Sequence, residues 1–371
     1  MQRPSLSVLT VGGALIDTIA VIGNESIERM SMKNADRAFL LLEQGSKTEA
    51  EIVSTHPGGG ALNAAVSFAR LGFNTATLIK ISNDDRGKAV RCRLSEEGIS
   101  DEFVVSTNEA PTGASVLISS HDRDAAIFTF RGANTRLEVN DLKPKAFECE
   151  VVYVSGLSDN SADCFPEIAR LANNAGALLA TNPGIRQLTT RGEAFEKSLP
   201  RIGLLSMNVD EAQALVPKLA SRIRKSRKSV IDREIHDQSL PILMQRGLSS
   251  GGFSISLQTF FSVILDLGTK CVLLTDGKRG AFAAVQGELT YCRSLDLDAV
   301  GTAGAGDAFS STFTAHFANG SSVGESLQAA IVNAGSVVKF ADTQTGLLNS
   351  ASLKNALADA SDKLVLQVIK L

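Results

Sequence analysis

The chain has 371 residues, of which 44% are hydrophobic and 21% are charged, so it can bury a sizeable core in one large α/β domain or two modest ones. Its 37 basic and 40 acidic residues give a net charge of −3, which offers no extended positive field to nucleic acid or to an anionic membrane. No apolar run approaches the roughly 20 residues that a membrane span requires. We therefore expect a small-molecule partner, with no nucleic acid and no membrane.

The apolar N-terminal stretch LSVLTVGGALIDTIAVIG is interrupted by Gly12, Gly13 and Asp17, and no cleavage pattern of a signal peptide follows it. We interpret it as the first strand of a cytoplasmic protein. The five cysteines are scattered along the chain without metal-ligand spacing, which predicts reduced and buried thiols.

The N-terminal third predicts a small antiparallel sheet, because AEIVSTHPGG and GASVLISSHDRDAAIFTFRG alternate and turn like antiparallel strands. In HPGGGALNAAVSFARLGF, three glycines precede a helix that carries Asn63 near its start, which permits close backbone approach to a ligand. A plain turn with Asn63 as a local cap also fits this pattern. Asp17 lies at the end of an apolar strand and needs a hydrogen-bond partner, which sugar hydroxyls or water would supply.

Further along, four apolar runs each end in a turn residue, as buried parallel strands do. They are VVYVSG at 151–156, ALLATNPG at 177–184, IGLLSMN at 202–208 and CVLLTDG at 271–277. The helical spacing of SADCFPEIARLANNAG between the first two predicts a βαβ unit that ends near Gly176. Repeated units of this kind form a parallel sheet that gathers ligands at the carboxyl ends of its strands.

The segment at about 218–256 departs from this alternation of strands and helices, because it begins with basic residues and ends in a Gly/Ser turn. This composition predicts a solvated helical insertion, and a partner-binding or subunit-contact element is the alternative.

VGTAGAGDAFSS, at residues 300–311, has the order strand, glycine turn and helix start. The unpaired N–H groups and the positive dipole of a helix N-terminus attract an anion, and Asp307 beside it could accept a proton from a hydroxyl. A simple turn with Asp307 as the N-cap also fits. The chain has no GxxxxGK[ST] motif and no N-terminal GxGxxG, which disfavours a P-loop NTPase and a dinucleotide dehydrogenase.

Taken in order, these motifs resemble those of the PfkB family of carbohydrate kinases, which have the ribokinase-like fold. GTAGAGD is similar to the family's DTxGAGD signature and PGGGALN to its N-terminal glycine signature. NVDE at 208–211 matches an NxxE motif, TDGKRG at 275–280 matches a TxGxxG nucleotide turn, and NPG at 182–184 and FRGAN at 130–134 also match.

The resemblance implies a single α/β domain over residues 1–371, of three-layer α/β/α type, with a mostly parallel central sheet and a small antiparallel β lid. The lid is expected at about 17–56 and 113–131, and the insertion at about 218–256 falls outside the match. The implied activity is ATP-dependent phosphorylation of a hydroxyl, expected to be primary, of a small sugar, with Mg²⁺ as cofactor.

The resemblance also assigns roles to residues of this sequence. Asp307 would be the general base, with the amides of Gly304, Ala305 and Gly306 as the anion hole. The acceptor would be bound by Asp17, Gly59, Gly60 and Asn63. The nucleotide would be bound by Thr275, Gly277 and Gly280, and also by Asn333, for which a satisfied contact within its helix is the other interpretation. Mg²⁺ would be held by Asn208 and Glu211, through water, although the NxxE pattern alone also fits a surface helix start.

The sequence departs from the family pattern at two positions. Gly301 replaces the first acid of DTxGAGD, which in relatives helps to form a K⁺ site, and this puts K⁺ dependence in doubt. Gly60 stands where ribokinases often carry a lysine, which favours a neutral acceptor over a sugar phosphate.

Three alternatives stay open at this point. A nucleoside kinase shares the fold, and Phe39, Phe128 and Phe130 are candidates to cover a base, although core packing is the expected place for them. A non-catalytic sensor of sugar or nucleotide is suggested by Gly301. A homodimer through the lid is an alternative to a monomer, because relatives often dimerise there.

Overall fold

The computed structural model describes residues 5–23, 28–31, 38–41, 45, 47–120, 125–225 and 240–371. The strands in chain order are β1 (Ser7–Gly12), β2 (Leu15–Ile22), β3 (Glu28–Ser31), β4 (Ala38–Leu41), β5 (Ala50–Gly58), β6 (Asn74–Ser82), β7 (Val105–Thr107), β8 (Gly113–Ser120), β9 (Ala125–Phe130), β10 (Val151–Val154), β11 (Leu178–Thr181), β12 (Leu204–Asn208), β13 (Leu248–Ser250), β14 (Phe253–Ile255), β15 (Cys271–Thr275), β16 (Ala281–Val285), β17 (Glu288–Cys292) and β18 (Leu366–Lys370).

The α-helices in chain order are α1 (Gly60–Arg70), α2 (Asp85–Glu96), α3 (Phe165–Asn174), α4 (Ile185–Thr190), α5 (Gly192–Ser198), α6 (Val209–Lys225), α7 (Ile242–Arg246), α8 (Leu257–Asp266), α9 (Ala305–Ala318), α10 (Val323–Val337) and α11 (Ser350–Asp359). No helix in the described ranges has both the length and the apolar character needed to cross a membrane.

The main sheet has ten strands in the order β18-β17-β16-β15-β12-β11-β10-β1-β6-β7. Every pair from β15 to β7 is parallel, and the three pairs from β15 to β18 are antiparallel. The central strand β10 is buried along its whole length, because helices cover both faces of a parallel sheet. This arrangement confirms the predicted mostly parallel sheet.

Two apolar clusters fill the space between the sheet and its helices. One contains Phe165 of α3, Leu215 of α6 and Phe260 of α8. The other contains Phe68 of α1 and Phe313 of α9, on the opposite face of the sheet. The predicted three-layer α/β/α architecture is therefore confirmed.

A second sheet of four strands, β5-β2-β8-β9, forms the small sheet expected from the sequence. Its outer pairs β2–β5 and β8–β9 are antiparallel, while β2 and β8 run parallel. On its inner face, Ile19, Val21 and Leu117 are buried together against Ala303 and Ala341. This sheet, called the lid below, thus packs against the glycine-rich turn of residues 301–306.

The segment at 218–256 differs from the solvated helical insertion that its composition predicts. Its first residues continue α6, and residues 226–239 lie outside the described part of the chain. The remainder forms α7 and the β13–β14 hairpin, in which Leu243, Leu248 and Ile255 are buried in the main core. The sequence did not predict this hairpin, because its few alternating apolar residues are surrounded by Gly and Ser.

Candidate active site

The glycine turn leads directly into α9, as the sequence predicts. Gly304 is the N-cap of the helix and has a left-handed conformation, with φ at 78°. A Cβ on Gly304 would lie 2.7 Å from Cβ of Thr343, so only glycine fits here without a shift. Among the described residues, the amides of Gly304, Ala305 and Gly306 make only one bond, of 3.4 Å, from Ala305 N to the Thr302 carbonyl. These N–H groups are thus available to an anion.

Asp307 stands in the first turn of α9, half-buried in the cleft beneath the lid. Its Oδ2 accepts a hydrogen bond of 2.8 Å from Nδ2 of Asn63 at the start of α1. Burial raises the pKa of the Asp307 carboxyl, the Asn63 bond opposes this rise, and the charge of Asp17 adds to it. A carboxyl with a raised pKa holds a proton more readily, as a general base must after it has accepted one.

Asn63 is itself oriented by residues from the C-terminal part of the chain. Its Oδ1 accepts from Thr343 Oγ1 at 2.9 Å and from Gln344 Nε2 at 3.0 Å. The Gln344 side chain is in turn held by Nε of Arg93 at 2.8 Å. Thr343 and Gln344 could not be predicted from the sequence, because this contact joins segments that are about 280 positions apart. Asn63, predicted to bind the acceptor, thus has its amide directed at Asp307.

Asp17 lies on the inner face of the lid and is buried. Ser115, its partner in the parallel β2–β8 pair, donates a hydrogen bond to Asp17 Oδ1. Burial raises the pKa of Asp17, while the Ser115 bond and the charge of His56 oppose the rise. The hydrogen-bond partner that the sequence required of Asp17 is therefore present in the protein, and Asp17 Oδ2 lies against Gly58.

The glycine run before α1 allows backbone and side chains to approach closely. Gly59 has φ at 101°, and a Cβ there would lie 2.7 Å from the carbonyl oxygen of Gly13. A Cβ on Gly60 would lie 2.8 Å from Cβ of Ser155 and 3.3 Å from Oδ1 of Asp307. Any larger residue at position 60 would therefore press on Ser155 and on the predicted base.

A cleft of about 100 Å³ opens between these elements. The residues that line it include Asp307, Gly60, Arg131, Asn134 and Ser158. Asn134 is held in place, since its Nδ2 donates to the Ala14 carbonyl at 2.8 Å and its Oδ1 accepts from Ala14 N at 3.0 Å. The arrangement places a candidate base, free helix amides and several hydrogen-bonding groups around one small space.

The predicted nucleotide turn lies at the same carboxyl edge of the main sheet. Thr275 pairs with Asn208 at the ends of β15 and β12. Gly277 and Gly280 have φ at 55° and 123°, so both need the conformational freedom of glycine. Arg279 donates two hydrogen bonds of 2.8 Å to the buried carboxylate of Asp276, which fixes the turn.

Asn208 and Glu211 cap the start of α6 reciprocally. Glu211 Oε2 accepts from Asn208 N, and Asn208 Oδ1 accepts from Glu211 N, both at 2.9 Å. Burial raises the pKa of Glu211 to about 7, the bond from the Asn208 backbone opposes this rise, and the charge of Asp307 adds to it. A side-chain hydrogen bond with Asn182, in the NPG motif, also opposes the rise in the pKa of Glu211. The sequence had predicted no role for Asn182.

Asn333 does not belong to the residues at this carboxyl edge of the main sheet. It is fully buried in α10, where its Nδ2 donates to Thr312 Oγ1 at 2.7 Å and its Oδ1 accepts from Leu348 N at 2.9 Å. The structure places it in a packing contact between α9, α10 and the following loop, and not at a surface that could meet an adenine edge. The helical spacing of its segment could not distinguish these two positions.

The phenylalanines considered as covers for a nucleoside base also lie elsewhere. Phe128 and Phe130 are 60% and 52% exposed. The pairing of Phe128 with Val116 places it on the lid face opposite to Ser115 and Asp17. They neither pack in the core, as we expected, nor face the cleft, and the side chain of Phe39 lies outside the described residues.

A sequence model of the pfkB family of carbohydrate kinases matches residues 18–237 and 262–350. The chain belongs to this family. This pfkB family kinase is 26% identical to a ribokinase of Mus musculus over 258 residues, which are 68% of each chain. It is 24% identical over 330 residues to an ATP-dependent 6-phosphofructokinase of Thermoanaerobacterium thermosaccharolyticum, covering 86% of this chain and 84% of that one.

Among solved structures, a putative ribokinase II from E. coli in complex with ATP and Mg²⁺ superimposes with a TM-score of 0.71 at 15% identity. The match covers 95% of this pfkB family kinase and 99% of that chain. This likeness shows the ribokinase-like fold. Membership of the family makes the chain an ATP-dependent sugar kinase that transfers phosphate to a hydroxyl, and the E. coli structure contains Mg²⁺ as well as ATP.

The residues of this pfkB family kinase fit such an ion. Within the described residues, no three His, Cys, Asp or Glu side chains lie close enough together to hold a metal directly. The carboxylates of Glu211 and Asp307 nonetheless lie near enough for the charge of Asp307 to raise the pKa of Glu211. A cation between them would relieve this repulsion, and Mg²⁺ commonly binds through one or two carboxylates, retained waters and substrate phosphates.

Proposed function

We propose that this kinase phosphorylates a hydroxyl, most simply a primary one, of a small sugar, with Asp307 as the general base. The observation that carries the proposal is the position of Asp307. It borders the cleft, receives the 2.8 Å bond from Asn63, and stands at the N-terminus of α9 beside the amides of Gly304 and Gly306, which lack partners among the described residues. These are a proton acceptor and an anion site side by side, which phosphoryl transfer to an alcohol requires.

In the proposed step, the acceptor hydroxyl loses its proton to Asp307 as its oxygen forms a bond to the γ-phosphorus of ATP. The bond from this phosphorus to the β,γ-bridging oxygen breaks, and ADP leaves with that electron pair. The amides of Gly304, Ala305 and Gly306 receive the negative charge on the transferred phosphoryl oxygens. Asn63 keeps the Asp307 carboxylate in position through the bond that they share.

Bound Mg²⁺ would supply positive charge to the nucleotide phosphates, and Glu211 would hold it through water, with Asn208 orienting that carboxylate. Thr275, Gly277 and Gly280 would accommodate the phosphates and ribose at the adjoining turn. Asp17, Gly59 and Gly60 would form the acceptor side, closed by the lid. The names of the relatives include a ribokinase and a 6-phosphofructokinase, and so they do not narrow the acceptor to one sugar.

We also infer that catalysis does not need K⁺. Gly301 contributes no carboxylate, and a Cβ there would lie 3.2 Å from the Phe340 carbonyl oxygen, so the position is already crowded. Rates in potassium, sodium and choline chloride at equal ionic strength should agree within about twofold, whereas a strong preference for K⁺ would contradict this inference. A cytoplasmic location is part of the proposal and is supported by five free cysteine thiols.

A homodimer through the lid is the proposed assembly. The strand register places Val53, Val116, Phe128 and Phe130 on the outer face of the lid, and each is at least 42% exposed. A contiguous apolar patch of this kind marks an interaction surface. A second copy would cover it while leaving the inner face free for the acceptor.

The test of the proposed function is ATP consumption by the purified protein across pentoses, hexoses, sugar phosphates and nucleosides. We expect turnover with one compound class, and a loss of about 10³-fold in kcat in Asp307→Asn. Asp362→Asn, a change at an exposed acid far along the chain, is the matched control and should retain activity. Near-full turnover in Asp307→Asn would contradict the assignment of the base.

A further inference from the structure

Arg131 lines the same cleft as Asp307, just before the 3₁₀ turn Gly132–Thr135. Its side chain is half-buried, and no hydrogen bond or ion pair is found for its guanidinium within the described residues. A guanidinium carries five N–H donors, and withdrawing it from water without a partner costs free energy. Other arginines of this structure, such as Arg70 with Glu97 and Arg191 with Asp163, are paired with carboxylates.

The electrostatic surroundings of Arg131 are unfavourable to its charge. Burial lowers the pKa of Arg131, and the nearby positive charge of Arg186 lowers it further. The negative charge of Asp159, an exposed residue, raises the pKa of Arg131, but this effect is smaller than that of burial or of Arg186. Arg131 therefore brings a positive charge to the cleft, a second positive charge lies nearby, and only Asp159 opposes them.

The proposed base lines the same cleft. Ser158 also lines it, and the Ser158 hydroxyl makes no hydrogen bond in the described part of the chain. The cleft thus carries an acidic group that suits a hydroxyl and a basic group that suits an anion.

We propose that the acceptor of this kinase carries an anionic group, a phosphate or a carboxylate, which Arg131 binds while a hydroxyl of the same molecule faces Asp307. The planar guanidinium can bind either group in a bidentate manner, with Ser158 as an additional donor from the cleft lining and with the positive charge of Arg186 nearby. This inference rests on the proposed function, since it names the substrate class of the same site.

The proposal changes the expectation drawn from Gly60. The absence of a lysine there favoured a neutral acceptor, but a side chain at this position would collide with Ser155 and approach Asp307. Arg131, which belongs to a different segment, supplies a cation in its place. The FRGAN motif drew attention to this segment, yet only the tertiary structure shows that its arginine faces the cleft without a partner.

The experiment compares matched neutral and anionic acceptors by ATP consumption and, independently, by calorimetric binding. The pairs are fructose with fructose 6-phosphate, which keeps a free primary hydroxyl at C1, and glucose with gluconate, which keeps the one at C6. We expect kcat/KM for at least one anionic member to exceed that of its neutral partner by on the order of 100-fold. Comparison of the sugar phosphate with gluconate shows whether the anionic group of the acceptor is a phosphate or a carboxylate.

The variants are Arg131→Gln, which removes the charge, and Arg131→Lys, which keeps it without the planar fork. Arg131→Gln should raise KM for the anionic acceptor by about 30- to 100-fold with a much smaller change in kcat, and Arg131→Lys should recover part of the loss. Arg136→Gln, five residues further along and exposed, is the control and should behave as wild type.

The outcomes separate this inference from the proposed function. Equal use of neutral and anionic acceptors, unaffected by Arg131→Gln, would overturn the role of Arg131 and leave the sugar kinase intact. No turnover with any acceptor, together with calorimetric binding of an anionic compound that Arg131→Gln abolishes, would overturn the kinase and support the anion site. Absence of both turnover and anionic binding would overturn both.

Discussion

Asn63 at the start of α1 and Asp307 in the first turn of α9 are joined directly, because Nδ2 of the amide donates a 2.8 Å hydrogen bond to Oδ2 of the carboxylate. The amide cannot easily turn away, because its oxygen is held by Thr343 and Gln344. The pair therefore fixes the direction of the Asp307 carboxylate. If Asp307 is the base, as we propose, Asn63 is its positioning residue.

Replacing Asn63 by Asp keeps the size and the two donors to its oxygen but places a second carboxylate against Asp307. Like charges at this distance raise the pKa of the pair, so one carboxyl would hold a proton near neutral pH. We expect kcat to fall by about 10²-fold at pH 7 and the acidic limb of the pH–rate profile to move to higher pH. Asn108→Asp, in an exposed loop, is the control. An unshifted profile would contradict this role.

The Mg²⁺ requirement should depend on pH through Glu211. Its carboxyl must be ionised to hold the ion, and with a pKa of about 7 it is largely protonated at pH 6 and ionised at pH 8. The Mg²⁺ concentration for half-maximal activity should therefore fall several-fold from pH 6 to pH 8. In Glu211→Gln it should be higher throughout and nearly independent of pH. A Mg²⁺ titration unchanged by this substitution would remove Glu211 from the ion site.

Glu211 also links stability to pH. Its pKa rises from 4.5 to about 7 on folding, so ionisation disfavours the folded state as pH increases through this interval. A glutamine keeps the helix cap without the charge. Above pH 8, Glu211→Gln should raise the free energy of unfolding in urea by on the order of 1–2 kcal/mol, after allowance for partial exposure. At pH 4 the two proteins should unfold alike, and a gain of equal size at pH 4 would argue against this linkage.

Gly60→Ala should impair catalysis more than folding. The new Cβ would lie 2.8 Å from Ser155 Cβ and 3.3 Å from Asp307 Oδ1, so it would displace the carboxylate from its bond with Asn63. We expect kcat/KM to fall by roughly 10- to 100-fold. Adding Ser155→Gly removes the closest atoms and should restore part of the activity. A double variant no better than Gly60→Ala would show that the collision with Ser155 is not the cause.

Phe128→Ser should weaken the proposed dimer. The side chain is 60% exposed on the outer face of the lid, so its loss removes apolar contact area without opening the core. Light scattering after size exclusion should show a shift from dimer toward monomer. Val365→Ser, at a 71% exposed position near the far edge of the main sheet, should leave the mass unchanged. A wild-type protein that is monomeric at high concentration would exclude this assembly.

The sequence predicted those features that depend on neighbouring residues. The strand, glycine turn and helix around Asp307 form a local pattern, and the four apolar runs of the parallel sheet are similarly local. Thr343, Gln344 and Arg131 could not be predicted, because their roles arise only where distant segments meet. For Asn333 the sequence suggested a binding role that the structure does not support. A polar residue in an apolar helix can also make its hydrogen bonds inside the protein, as Asn333 does with Thr312.

The connection from Asn63 to Thr343 and Gln344 has a consequence for how the protein matures during synthesis. The proposed base is Asp307, yet the donors that orient its amide partner lie about 280 positions after Asn63. A nascent chain whose residue 344 is still inside the ribosome already contains all the parallel strands of the main sheet but lacks these two donors. Competence for phosphoryl transfer would therefore arise only after residue 344 has left the ribosome, so translation itself delays the first turnover.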